Sequence, residues 1–202
     1  MRKTKEEALV TRENILTAAL DVFSQRGYSA ARLEDIAQAA EVTRGAIYHH
    51  FAGKEELYVA LVTERSAGIN ELAEEIIGQG GTSLEILRRL LVGLFKYLDE
   101  NEEYRALLEL AVSNMGLTEG LESIRDDTVR GRRQLADLFQ EMLSQGIKAG
   151  EIRSDLSTRS AAWNLVSYMN GLGLIVIQDP GALSLREDGE ALVDTFFKGI
   201  EP

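Results

Sequence analysis

Apolar residues recur along this chain every three to four positions almost from end to end, and no stretch alternates strictly with period two. Ile15, Leu16, Ala19, Leu20 and Phe23 trace one stripe, and Gly27 stands where a helix would stop. Leu33, Ile36, Ala37 and Ala40 mark a short second helix, and Glu41-Val42 reads as a turn. A third short helix opens near Thr43, with Ala46, Ile47 and Phe51 facing inward, and Ala52-Gly53 breaks it. One long helix is then expected from Lys54 to about Ile77, ending in the glycine-rich loop 78–81.

The second half continues in the same period. Thr82-x-x-Glu85 and Ser184-x-x-Glu187 are capping-box patterns ahead of apolar runs, and Thr4-x-x-Glu7 repeats the pattern near the start. Between them lie a helix with Leu84, Leu87, Leu91, Leu94, Phe95 and Leu98, and another over about 102–113. A loop over 116–120 follows, then a long helix from Leu121 to about Ala149, closed by Gly150. A strongly apolar helix capped by Ser157 or Thr158 ends before the turn Asp179-Pro180-Gly181. The expectation is an all-α protein of nine helices, with a head over 1–56 and a body over 57–202.

Composition narrows the chemistry. The 202 residues include no cysteine, which removes disulfides and thiolate chemistry. No run of about 18 uninterrupted apolar residues occurs, so no membrane span is expected. The charged opening lacks the apolar core of a signal peptide, and a cytoplasmic location is the reading. The net charge is −11, unevenly spread: residues 1–56 carry 8 basic and 9 acidic side chains, and residues 57–202 carry 14 and 24. The acid sits in the body, which leaves the head free to turn a basic face to a polyanion.

Residues 33–51 have the layout of a helix-turn-helix: a small apolar corner from Ile36, Ala37, Ala40, Val42 and Ile47, then a second helix with a polar outer face. That face holds Thr43, Arg44, Gly45, Tyr48 and His49. Arg44 suits a guanine edge or a phosphate, and Gly45 permits close approach to a groove. Lys54 lies at a helix start, where backbone N–H groups already favour a phosphate. A three-helix bundle with a solvated polar face fits the spacing equally well. His49 and His50 are adjacent on a helix and point about 100° apart, so they do not converge on a metal.

The series Phe23-Ser24-Gln25-Arg26-Gly27-Tyr28, Leu33 to Ala40, Val42-Thr43-Arg44-Gly45-Ala46-Ile47-Tyr48-His49-His50-Phe51 and Lys54-Glu55-Glu56-Leu57 resembles the DNA-binding signature of the TetR family over about 55 residues. Within it, the opening Arg2 to Ala8 and Val42 to Tyr48 are similar to the AcrR/TtgR branch, which represses multidrug efflux pumps. Glu41 stands where the family has Gly, Arg32 where it has Ser or Thr, and His49 where the branch often has Trp. Arg32 can replace a hydroxyl contact to phosphate with a charged one.

The resemblance implies a dimeric repressor without cofactor or metal. It implies a palindromic double-stranded operator and release by a small hydrophobic or aromatic effector. A lipid or acyl thioester effector is the alternative. It implies an effector pocket for which Ser66, Ile69, Leu108, Val112, Val166, Met169 and Asn170 are candidates, with plain core packing as the competing reading of each. Leu165, Tyr168, Leu172, Leu192 and Phe196 are expected at the dimer interface. An enzyme or a protein-binding adaptor are the other function classes, and neither has an interpretable motif here.

Overall fold

A computed structural model describes residues 5–113 and 122–202; the expected loop at 116–120 and the Thr4 cap fall outside them. Among the described residues every regular element is a helix: α1 (Lys5–Ala30), α2 (Leu33–Ala39), α3 (Arg44–His50), α4 (Lys54–Arg65), α5 (Ala67–Gly78), α6 (Ser83–Glu100), α7 (Glu102–Ser113), α8 (Glu122–Ala149), α9 (Thr158–Gln178) and α10 (Leu185–Phe197). These ten segments fall into two compact units. One unites the described residues up to Ala67 with those of Ala106–Ile124; the other unites Gly68–Arg105 with Arg125–Pro202. The expected boundary at 56/57 lies inside α4, whose packing on α1 keeps the chain to Ala67 with the head.

One element differs from the sequence reading. The single helix expected over 54–77 is interrupted at Ser66 and resumes at Ala67, so the described residues show ten helical segments in the expected nine-helix order. The local cause is legible. Ser66 and Gly68 are both weak helix formers, and such pairs are where helices kink. Arg65 is tied back to α1 through Glu13 at 2.5 Å and Thr17 at 3.0 Å. Gly68 lies so close to the Tyr97 hydroxyl that a Cβ there would clash with it.

Helix ends follow the caps in the sequence. The Thr82–Glu85 box closes in both directions, at 3.2 and 2.9 Å. Ser184 accepts from the Glu187 N–H, but its own N–H donates to the Asp188 carboxylate rather than to Glu187. Gly27, at φ +71 and ψ 161, kinks α1 and leaves a short helical stretch to Ala30 beyond it, and Gly150 follows the end of α8 at φ +77. In the head, Ile15, Leu16, Ala19, Phe23, Ile36, Ile47, Phe51, Leu57 and Leu61 form the core. Phe23, Tyr28 and Tyr58 add an aromatic cluster with centroids 5.1 to 5.6 Å apart, in which Tyr58 meets both other rings edge-on. The second unit packs α6 against α9 and α10 over Leu87, Leu91, Leu165, Val193 and Phe197.

The helix α9 is 21 residues long and, by length and composition alone, apolar enough to cross a bilayer, although its uninterrupted apolar runs fall well short of about 18 residues. Only 39% of its most apolar stretch is buried within the chain. The remainder includes Trp163, 40% exposed, and Ile175, 45% exposed.

Candidate nucleic-acid interface

The corner between α2 and α3 is a Schellman turn, in which orphan helix carbonyls are recaptured by the next two N–H groups. Val42 donates to the Ala37 carbonyl at 2.9 Å, and Glu41 donates to Gln38 at 3.2 Å. The residue between them must be left-handed, and Glu41 has φ +54. It is the single non-glycine residue with positive φ among those described. The chain therefore keeps the turn that a Gly would give and carries the steric cost of a Cβ there.

Helix α3 is then set by its own residues. Thr43 accepts from the Ala46 N–H at 3.1 Å, and Ile47 is fully buried against the corner. Thr43, Arg44, Gly45, Tyr48 and His49 are all exposed, so the cap and first two turns of this short helix present five candidates outward. A Cβ on Gly45 would meet only the Thr43 hydroxyl, at an ordinary 3.7 Å. Nothing inside the chain requires glycine at that position.

Arg44 does not wait in open solvent. Its Nη1 pairs with the Glu34 carboxylate at 2.5 Å, and its Nη2 donates to the Tyr48 hydroxyl at 3.0 Å. The guanidinium carbon lies 5.4 Å from the Tyr48 ring centroid. The Tyr48 bond first, and then the Glu34 charge, raise the Arg44 pKa. Glu34 was not among the residues expected from the sequence. It stands ten positions away, and only the turn of the corner brings it to Arg44. Arg32 is exposed at the N-cap of α2, where its backbone N–H, not its side chain, bonds the Asp35 carboxylate at 3.2 Å. Asp35 also pairs with Arg26 at 2.8 Å. The His49 and His50 rings meet edge to face at 5.4 Å.

Lys54 departs from expectation. Its ammonium donates to the carbonyls of Tyr28 at 2.8 Å, Ala31 at 3.0 Å and Ser29 at 3.4 Å, and lies 4.4 Å from the Tyr28 ring centroid. All three N–H donors are committed within the chain, and burial lowers its pKa. Lys54 is a clasp between the start of α4 and the segment after Gly27, and has no donor left for a phosphate.

The expected effector residues divide between the two units. Ser66 ends α4, and half-buried Leu108 and Val112 lie on α7, all in the first unit. Ile69, Val166, Met169 and Asn170 belong to the second. Ile69 and Val166 are buried and Met169 is half-buried. Asn170 corrects the sequence reading: it is an exposed side chain whose amide donates to the Val166 carbonyl one turn back, at 2.7 Å. It is not a buried amide in search of a ligand. A cleft of about 390 Å³ opens between the start of α9 and the end of α10, with Ser157, Ser160, Asn164, Thr195 and Phe196 on its walls. None of the seven expected effector residues lines it.

The expected interface residues also sort by burial. Leu165 is wholly buried and Leu172 nearly so, which makes both core residues of a single chain. Tyr168, Leu192 and Phe196 are half-exposed, with the Tyr168 hydroxyl bonded to the Leu192 carbonyl at 2.8 Å. The side chains that expose the most apolar surface on α9 are Trp163 and Ile175. Period alone separates the two faces of a helix without saying which one the chain covers by itself.

Two families' profiles match this chain: bacterial regulatory proteins of the tetR family over residues 15–61, and the C-terminal region of MAATS-type transcriptional repressors over residues 82–201. The chain belongs to the TetR family of bacterial transcriptional regulators. It is 32% identical to the HTH-type transcriptional regulator AcrR of Shigella flexneri over 95% of this chain and 90% of that protein. It is 31% identical to the regulator TtgR of Pseudomonas putida over 96% of this chain and 93% of that protein. Among solved structures, SmeT in complex with triclosan matches with a TM-score of 0.84 at 26% identity, over 96% of this chain and 92% of that one. SmeT is the repressor of the Stenotrophomonas maltophilia multidrug efflux pump SmeDEF. In this TetR-family chain, the corner of α2 and α3 is the helix-turn-helix, and α3 is its second helix.

Proposed function

We propose that this TetR-family protein is a homodimeric, non-catalytic repressor that binds a palindromic operator through α3. A small apolar or aromatic molecule releases it, and it controls a multidrug efflux system. The observation that carries the reading is the outer face of α3. Thr43, Arg44, Gly45, Tyr48 and His49 are exposed together on a helix fixed from behind by Ile47, and Gly45 has no internal reason to be glycine. Arg44 supplies base readout, Tyr48, His49 and Arg32 supply phosphate contacts, and Gly45 lets the backbone approach the groove. Lys54 holds the fold and contributes no side-chain contact.

Dimerisation is supported by α9. Only part of α9 is buried within the chain, and the exposed Trp163 and Ile175 are apolar surface that a second copy can cover. A two-fold contact of α9 and α10 with a second copy would cover Trp163, Ile175, Tyr168, Leu192 and Phe196. Gly171 fits the same contact, since a Cβ there meets nothing in the chain. The efflux system and the apolar effector come from AcrR, TtgR and the triclosan complex of SmeT as the similar proteins. Ile69, Val166 and Met169 are the side chains of the second unit assigned to the effector.

The test is a mobility-shift assay on the DNA upstream of the gene, with aromatic, lipophilic and acyl-thioester compounds in separate arms. Salt-dependent, sequence-selective binding that one class releases is the expected result. A folded dimer that prefers no sequence anywhere, in a selection from random duplexes, would sink the proposal.

A further inference from the structure

The face of α3 carries an internal contradiction: its one arginine is already bound. Glu34 and Tyr48 take one N–H from each terminal nitrogen of Arg44, while both Arg44 and Glu34 remain more than half exposed. We infer that Glu34 is a specificity-determining residue of the DNA interface, because its carboxylate withholds the Arg44 guanidinium from phosphates and yields it only to a base edge with two acceptors. This rests on the operator-binding reading above.

The physical case is an exchange. Moving Arg44 from Glu34 to a single phosphate replaces one anionic oxygen with another and leaves Glu34 unpaired beside a polyanion. Little is gained, so on arbitrary DNA the pair persists and Arg44 releases no counterion. A guanine edge offers O6 and N7 to the planar fork at once, a geometry that rewards arginine over any point charge. The pair is solvent-exposed and therefore weakly held, so this reward suffices to open it. Glu34 thus lowers affinity for wrong sequences more than for the right one, which is how a repulsive element produces discrimination. Glu41 lies on the same corner, is exposed, and is not one of the residues that bind the Arg44 guanidinium, which makes it the matched control for charge alone.

The experiment measures fluorescence anisotropy of the full-length protein on an operator duplex and on a scrambled duplex of equal length, across a salt series. The variants are Glu34→Gln, Glu41→Gln, Arg44→Ala and the Arg44→Ala/Glu34→Gln double. Glu34→Gln should tighten scrambled-duplex binding about tenfold near 0.1 M salt and steepen its log–log salt slope by roughly 2 for a dimer, one added phosphate contact per protomer. Operator affinity should rise far less, so the ratio of the two falls. Glu41→Gln should leave the slope unchanged, and Glu34→Gln should have no effect once Arg44 is alanine. An unchanged slope, or an equal gain in the Arg44→Ala background, overturns the inference and leaves simple charge repulsion. Should the wild type bind both duplexes alike, the operator reading fails while the scrambled-duplex slope still decides the role of Glu34. Binding to neither overturns both.

Discussion

Replacing Glu41 by glycine should make this protein more stable, although it removes a whole side chain. The residue sits at φ +54 in the helix-turn-helix corner, where an L-side chain crowds the following carbonyl. That conformation costs a non-glycine residue about 1–2 kcal/mol. Glycine removes the cost but adds freedom to the unfolded chain, worth about 0.4–1 kcal/mol in the other direction. The two Schellman bonds, Val42 to Ala37 and Glu41 to Gln38, are backbone bonds and survive the exchange. The net gain is then about 0.5–1 kcal/mol, or roughly 1–4 °C in Tm for a chain of this length. Urea and thermal unfolding followed by circular dichroism, at one fixed protein concentration, would measure it. Glu41→Ala is the necessary partner: it removes the same charge but keeps the Cβ, so it should gain nothing. Equal stabilisation by both variants would show that the charge and not the backbone is responsible. A Glu41→Gly protein no more stable than wild type would refute the strain argument.

Three further outcomes test the other assignments. Gly45→Ala should leave the fold intact and raise helix stability by up to about 1 kcal/mol, yet weaken operator binding; circular dichroism and a mobility shift on the same preparation separate the two, and unchanged binding would remove Gly45 from the interface. Lys54→Met should lower stability by about 1–3 kcal/mol by stripping carbonyls of their donor, while the salt slope of DNA binding stays at the wild-type value; a shallower slope would restore Lys54 to phosphate contact. Leu165→Ala should cost about 2–5 kcal/mol as a core cavity, whereas Trp163→Ala should shift the monomer–dimer balance in sedimentation with helicity retained; the reverse pattern would put Leu165 at the interface and Trp163 in the core.

Much of the head was legible because its determinants are local. A threonine three residues before a backbone N–H caps α3, apolar residues at helical period turn Ile36 and Ile47 into the corner, and Gly27 interrupts α1 and Gly150 ends α8 through their own φ freedom. The same locality made the family recognisable, since the signature is a run of adjacent turns and caps. Even the unusual Glu41 announced its strain by standing where the family has glycine.

What the sequence left undetermined depends on which side chains meet across the fold. Lys54 sits at a helix start, as a phosphate ligand would, and only the fold brings the carbonyls of Tyr28, Ser29 and Ala31 within reach of its ammonium. Arg44 is an outward cation in any reading of the sequence, but the corner angle alone gives it Glu34. The long helix over 54–77 satisfies every periodic rule and still breaks at Ser66, where Arg65 is held by Glu13 and Thr17 and Gly68 lies against Tyr97. Along α9, apolar residues occur on all sides, and period cannot tell a face buried by the chain from one left for a partner. Hydrophobic period and caps act within a turn or two of the chain and are fixed by the residues themselves. Ion pairs, clasps and the choice of exposed face arise between residues distant in sequence, and only the tertiary structure sets them.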